Sequence, residues 1–325
     1  MRVPAKLNLQ LAVGPPRGDG YHDLVTVFHA VSLFDEVTVA PAGRDGVTVG
    51  GEGADRVPAG PDNLALRAVT ALRRALAGRA AAAGRVHVTI AKRIPVAAGL
   101  AGGSADAAAA LVACNELWRA GVGQQQLVDV AARVGSDVAF ALLGGTAVGR
   151  GRGERLTQAL APSTQYHWVL AFADGQLSTP EVYAALDRLR AADGTATGAS
   201  GGSRSPGRPR APGDEPALDA ALMSALRSGD ARQVGRALSN DLQPAALSLF
   251  PALRKTLAAG LELGALGALV SGSGPTCVFL AASASRALDL AVSLSGAGVC
   301  RSVARVTGPA PGAAVVPSAE AGRPR

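Results

Sequence analysis

A chain of 325 residues, 48% hydrophobic and 18% charged, carries enough apolar matter for two packed cores and too much to remain disordered. Its net charge of +7 comes from scattered arginines with no basic stripe and no aromatic interleaving, which argues against nucleic acid as a partner. No apolar run approaches the roughly 20 residues that cross a bilayer, and MRVPAKLNLQLAV lacks the basic-then-apolar build of a signal segment, so a cytoplasmic protein without a membrane partner is expected.

Along the chain, RVPAKLNLQLAV alternates Val3, Ala5, Leu7, Leu9 and Leu11 against Lys6, Asn8 and Gln10, the period of a half-buried strand. Lys6 and Asn8 therefore share a face, expected to point away from the core. Further strands are expected at Val25 to Ser32, Glu36 to Ala40, Gly46 to Gly50 and Arg85 to Lys92, with a helix from an Asp62 N-cap to about Ala77. PVAAGLAGGSADAAAALV follows: Gly99, Gly102 and Gly103 and then Ser104, which opens a helix to Arg119. Bare glycine backbone lets a ligand approach the main chain, and the N–H groups and partial positive charge of a helix start suit a polyphosphate. A tight turn with a capping serine is the bland alternative; the Walker and GxGxxG orders are absent. A helix near Gln125 to Val134 precedes GSDVAFALLGG, where Asp137 stands at another helix entrance, the first domain being expected to end near residue 157.

The second half, 158–308, opens with the strand YHWVLAFAD and a helix started by Ser178, Thr179 and Pro180. Ala192 to Gly213 is rich in Gly, Ser, Pro and Arg and is expected to be a disordered insertion. Helices at Glu215 to Arg227, Ala231 to Ser239 and Ala252 to Leu261 lead to two strands around the turn VSGSGPT. A helix from Ser283 to Leu294 and a strand near Cys300 to Val306 follow, and residues 309–325 read as an unstructured tail. The alternation of strands and helices gives an α/β (α+β) class in two domains. Cys114, Cys277 and Cys300 lie in apolar segments without metal or disulfide spacing, so no protein metal site is expected. Only three basic residues, Lys6, Lys92 and Lys255, are lysine, a choice that suits sites needing a compact point charge.

PAKLNLQL, PVAAGLAGGSADAA, GSDVAFAL and SGSGPT, in this order and spacing, resemble the GHMP superfamily of small-molecule kinases. GDGYHDL, DNLALRA and NDL narrow the resemblance to the branch acting on cytidine diphosphate-linked methylerythritol, over roughly Arg2 to Thr307 without the insertion. The resemblance implies an N-terminal α/β domain with the phosphate loop, a ferredoxin-like C-terminal domain, and transfer of the ATP γ-phosphate to the substrate's 2-hydroxyl, a step of non-mevalonate isoprenoid precursor synthesis. It implies that Pro95, Ala98, Gly99, Leu100, Ala101, Gly102, Gly103 and Ser104 wrap the ATP phosphates, with Ala101 where a glycine is common. Asn63 and Asn115 would lie by the nucleotide's base and sugar, Lys92 just before the loop, and Mg²⁺ would be held mainly by phosphates and water. Asp137 would face the acceptor hydroxyl with Lys6 beside it, and Tyr21, Tyr183 and His22 would hold the cytosine. Asn8 and the turn Gly272, Ser273 and Gly274 complete the substrate side. A monomer or weak homodimer is expected. Another superfamily kinase, acting on homoserine, mevalonate or a sugar, and a non-catalytic ATP-binding regulator are the rival readings.

Overall fold

The computed structural model describes residues 1–76, 83–159, 164–196 and 215–316. Two long antiparallel strands, β1 (Arg2–Pro16) and β2 (His22–Pro41), form the spine; β2 is one bent strand where the sequence suggested two. β3 (Gly46–Gly51), helix α1 (Leu64–Ala75), β4 (Val86–Lys92), α2 (Gly102–Leu117), α3 (Gln124–Val134), α4 (Ser136–Leu143), β5 (Thr146–Gly151) and β6 (Arg155–Gln158) complete the first half. The second half contributes β7 (Tyr166–Phe172), α5 (Thr179–Ala196), α6 (Ala220–Ser228), α7 (Ala231–Ala237), β8 (Ser239–Asn240) and α8 (Gln243–Leu249). Then come α9 (Ala252–Glu262), β9 (Gly267–Val270), β10 (Cys277–Ala281), α10 (Ala284–Gly296) and β11 (Ser302–Gly308).

One sheet runs β3-β4-β2-β1-β8, with β5 and β6 attached to β2, and a four-stranded antiparallel sheet runs β11-β7-β10-β9. Helix α2 packs on β1 and β2 and α4 on β1, with α1 and α3 packed in turn against α2. The fully buried Ala107, Ala108, Ala109, Ala110 and Leu111 make α2 apolar on nearly all sides, as a helix sandwiched between layers requires. The packing does not respect a cut at residue 157, because β8 pairs in parallel with β1 and Leu222, Ala225 and Leu226 of α6 enter the same core as β1 and β2. Among the described residues no helix is long and apolar enough to cross a membrane.

Several expectations need correction. The cap of α1 is Asn63, whose side-chain oxygen accepts from the Ala65 amide, rather than Asp62. Helix α2 starts two residues before Ser104, behind Ala101 in left-handed backbone, so Ser104 does not cap it. Helix α5 continues to Ala196, past the expected start of the insertion at Ala192; the rest of that insertion lies outside the described residues. The face of β1 carrying Lys6 and Asn8 is buried, not exposed, since the glycine loop packs across it and the Leu100 carbonyl accepts from the Lys6 amide. Nor is the tail unstructured where it is described. Arg2 and Ala314 exchange backbone hydrogen bonds at 2.9 and 3.0 Å, and Ala310 bridges Ala30 and Gly145. Its small residues signal close approach: a Cβ on Gly312 would stand 2.1 Å from the Leu142 carbonyl oxygen. Residues 317–325 lie outside the described residues.

Candidate active site

Beside β1 and β2 lies a cavity of about 740 Å³, lined by Lys6, Asn8, Asn63, Lys92, the loop Pro95–Ser104 except Leu100, Asp137, Tyr183, Gly272 and Ser273. The loop is shaped by three left-handed residues, Ala97, Gly99 and Ala101. Gly99 is sterically obligatory, because a Cβ there would come within 2.1 Å of the Ser271 carbonyl oxygen. The loop is thus pressed against the SGSG turn, with the Gly99 carbonyl accepting from the Ser271 hydroxyl at 3.0 Å. Leu100 points the other way into the core and anchors the loop. No side chain caps α2 and no acidic residue sits in its first turn, so the free N–H groups at Gly102, Gly103 and Ser104 face the cavity, where an anion satisfies them.

Beneath the loop Lys92 donates to Asp35 at 2.5 Å and Asp106 at 2.8 Å, all three side chains being buried. Two carboxylates share one ammonium. Asp35 also accepts from the Arg93 and Ile94 amides, whereas the Oδ1 of Asp106 has no hydrogen-bond partner among the described residues. Burial, only partly offset by Lys92, pushes Asp106 up to about 7, and the two carboxylates raise Lys92 despite its own burial. Lys92 lines the cavity, but its charge is already matched.

Lys6 is different. Only 7% exposed, it donates to Asn8 Oδ1 at 2.5 Å and to the Gly99 carbonyl at 3.3 Å, and Asn8 in turn donates to Thr26 Oγ1 at 2.8 Å. Among the described residues no carboxylate lies within ion-pair distance of Lys6. Burial lowers the Lys6 pKa, and the nearby Asp137 carboxylate opposes that shift. Asp137, in the first turn of α4, is half-buried and faces this ammonium across the cavity. Burial and the same carboxylate hold the Tyr183 phenol above its ordinary range, which ties α5 to this point.

At the far end Tyr21 is 55% exposed, His22 is buried with its ring centroid 5.0 Å from that of Tyr183, and His22 Nε2 bonds Asp187 at 3.0 Å. Tyr183 lines the cavity, whereas Tyr21 and His22 stand outside its wall. Asn115 is not brought in: its amide donates to and accepts from the Val122 backbone, closing the turn after α2. Asn63 is in the wall, spending its oxygen on the α1 cap and its amide on the Pro58 carbonyl.

The GHMP kinases N terminal domain model matches residues 63–145, and the GHMP kinases C terminal model matches residues 222–300. Named 4-diphosphocytidyl-2-C-methyl-D-erythritol kinase, a protein of Thermobifida fusca (strain YX) is 54% identical over 324 residues, covering 97% of each chain. The chain belongs to this kinase family. A second member, from Mycolicibacterium smegmatis, is 54% identical over 321 residues, covering 99% of this chain and 93% of that protein. A crystal structure of 4-(cytidine 5'-diphospho)-2C-methyl-D-erythritol kinase superposes with a TM-score of 0.71 at 33% identity, covering 94% of this chain and 98% of that one. The L. major mevalonate kinase in complex with R-mevalonate reaches a TM-score of 0.66 at 15% identity, covering 96% of each, and shares the fold.

Within this family frame, side chains to which the sequence assigned no role hold the site together. Asn240 of the NDL motif donates to the Val270 and Gly272 carbonyls, both at 2.7 Å, and so sets the SGSG turn. Asp35 and Asp106 gave no signal because their partner Lys92 is distant from Asp35 in sequence and one helical entry away from Asp106. His29, pushed down to about 3 by burial, bonds Thr146 and packs against Gly308, a structural part in joining β2 to β5 and β11. Buried Cys114 and Cys277 are pushed up to about 12 by desolvation and stay thiols, as core residues do.

Proposed function

We propose that this chain transfers the γ-phosphate of ATP to the 2-hydroxyl of 4-diphosphocytidyl-2-C-methyl-D-erythritol, in the non-mevalonate route to isoprenoid precursors, acting in the cytoplasm. The observation that carries the reading is the convergence, in one cavity, of a bare backbone cradle, the Lys6 ammonium, which makes no ion pair among the described residues, and Asp137. The cradle fits a triphosphate because nothing but backbone occupies it and its donors are unsatisfied. Phosphoryl transfer passes through a loose transition state, so positioning and charge stabilisation supply most of the rate.

Each residue has a part that follows from its surroundings. Asp137 accepts a hydrogen bond from the acceptor hydroxyl, orients it, and takes its proton late, since a carboxylate is too weak a base to form an alkoxide early. Lys6 sits where its charge is not neutralised locally and stabilises the charge moving between donor and acceptor. Asn8 holds that ammonium in place through its oxygen. Tyr183, its ring tilted against that of His22, offers a cytosine one aromatic face, and Tyr21 offers another from the hairpin tip, each stack adding about 1–3 kcal/mol. Among the described residues no three His, Cys, Asp or Glu side chains form a ready cation cage, so a Mg²⁺ ion shielding the phosphates would draw on phosphate and water oxygens.

The test is ATP consumption with the cytidine-capped substrate against its uncapped phosphate analogue, homoserine and mevalonate. Turnover confined to the capped substrate supports the reading; comparable turnover of any other acceptor removes it. Asp137→Asn should lower kcat by about 10²–10⁴-fold while ATP affinity stays within a few-fold, and retention of most of kcat would remove Asp137 from the mechanism.

A further inference from the structure

Two arginines, Arg56 and Arg152, also line the cavity, and Arg152 does so beside Asp137 and its neighbour Ser136. Arg152 stands at the turn between β5 and β6, flanked by Gly151 and Gly153, both in left-handed backbone. The turn is closed by a hydrogen bond from the Gly153 amide to the Arg150 carbonyl at 3.1 Å, and the Glu154 carboxylate accepts from the Arg152 backbone amide at 2.6 Å. The turn lies over Phe28 and beside the start of α4: a Cβ on Gly153 would stand 3.3 Å from Phe28 and 3.8 Å from Ser136. The guanidinium therefore leaves a hydrogen-bonded turn beside the entrance of α4. It lines the cavity together with Ser136 and Asp137, and its carbon lies 5.1 Å from the centroid of the Tyr21 ring. Glu154, the neighbouring acid, is turned to the backbone, and among the described residues Arg152 makes no ion pair.

We infer that Arg152 binds the diphosphate that links the two ends of the acceptor substrate, an inference that rests on the function proposed above. A molecule whose hydroxyl meets Asp137 and whose base stacks at Tyr21 must carry its two anionic phosphates between those points, and Arg152 lies on that path: it shares the cavity wall with Asp137, and its guanidinium carbon is 5.1 Å from the Tyr21 ring centroid. A guanidinium fork matches phosphate oxygens in pairs, and its attraction to an aromatic face is worth less than a charge-assisted hydrogen bond. The contact with Tyr21 is thus a resting position that the diphosphate displaces, freeing the ring face for the base as the fork turns to the phosphates. Arg152 is a substrate-binding residue that selects for a diphosphate linker.

Steady-state kinetics with Arg152→Ala and Arg152→Lys test this, alongside titration of the unreacting fragments CDP and cytidine by calorimetry. The expected result is a KM for the cytidine-capped substrate raised about tenfold or more in Arg152→Ala, partly restored in Arg152→Lys, with KM for ATP within about twofold. CDP binding weakens in the same proportion while cytidine binding does not. An unchanged KM and CDP affinity, an equal loss for cytidine, or an equal rise in KM for ATP would each overturn the assignment. A wild-type enzyme that ignores the capped substrate would instead sink the functional reading, and the CDP arm would still report on Arg152.

Discussion

Two buried ammonium groups flank the same loop, and their surroundings are opposite. Lys92 lies under the start of α2 with a carboxylate on either side, more negative charge than it can neutralise. Lys6 lies across the loop with an amide, a carbonyl and one carboxylate at a distance. Both are nearly inaccessible, so burial alone does not tell a structural cation from a reactive one. The difference is whether protein has already cancelled the charge. Where it has, the ammonium clamps β4, β2 and α2 together and sets the loop; where it has not, the charge is available to a substrate.

The contrast can be broken most directly at Lys6. Lys6→Met should lower kcat by about 10²–10³-fold. It should leave the urea-derived unfolding free energy within about 1 kcal/mol, because relief of a desolvated charge offsets the loss of Asn8's partner. A large fall in stability would make Lys6 structural like its counterpart. Lys92→Met should do the reverse: unfolding free energy down by about 3–5 kcal/mol, since two buried carboxylates lose their cation. A variant as stable as the wild type would show the triad to be dispensable.

Asp106 sharpens the comparison by pH. Its folded value of about 7 lies above the ordinary 3.8, so between those two values the folded protein holds a proton that the unfolded chain has released. The carboxyl therefore makes stability fall as pH rises through that window, with no further change from this group above it. Asp106→Asn should flatten the slope across the window in urea titrations at pH 4.5 and 7.5; an unaltered slope would place the shared proton elsewhere. The smallest effect belongs to Ala101, a left-handed residue at the mouth of α2. Ala101→Gly should raise stability by up to about 1 kcal/mol, the strain of αL alanine outweighing the added freedom of the unfolded chain. A loss of stability would show that the methyl group packs usefully.

How much of this was legible in the residues depended on range. The order of strands and helices, the glycine loop and Asp137 at a helix entrance follow from local periodicity and capping, which short stretches encode. Misreadings came where distant segments decide. The alternation in β1 placed Lys6 and Asn8 on one face, but only the loop 90 residues further on makes that face an interior. Asn115 stands one helix from the loop yet turns to Val122, because a helix face is set by its neighbours rather than by proximity in sequence. The Gly, Pro and Ala of residues 309–316 have a composition that suits either a loose end or a tight fit, and backbone partners on Ala30 and Arg2 select the fit.

That last segment, with β8, governs what the molecule is free to do. The later half of the chain returns to the first sheet more than once: α6 fills its core, Ser239 and Asn240 extend it beside β1, and Ala314 closes on Arg2. Severing the gene after residue 157 would yield a fragment with an unfinished sheet edge and bare leucines, and a remainder without its footing. The two halves are stitched to each other by these returning segments as well as by the chain between them, so a rearrangement confined to loops and side chains disturbs fewer packed contacts than a swing of the halves would.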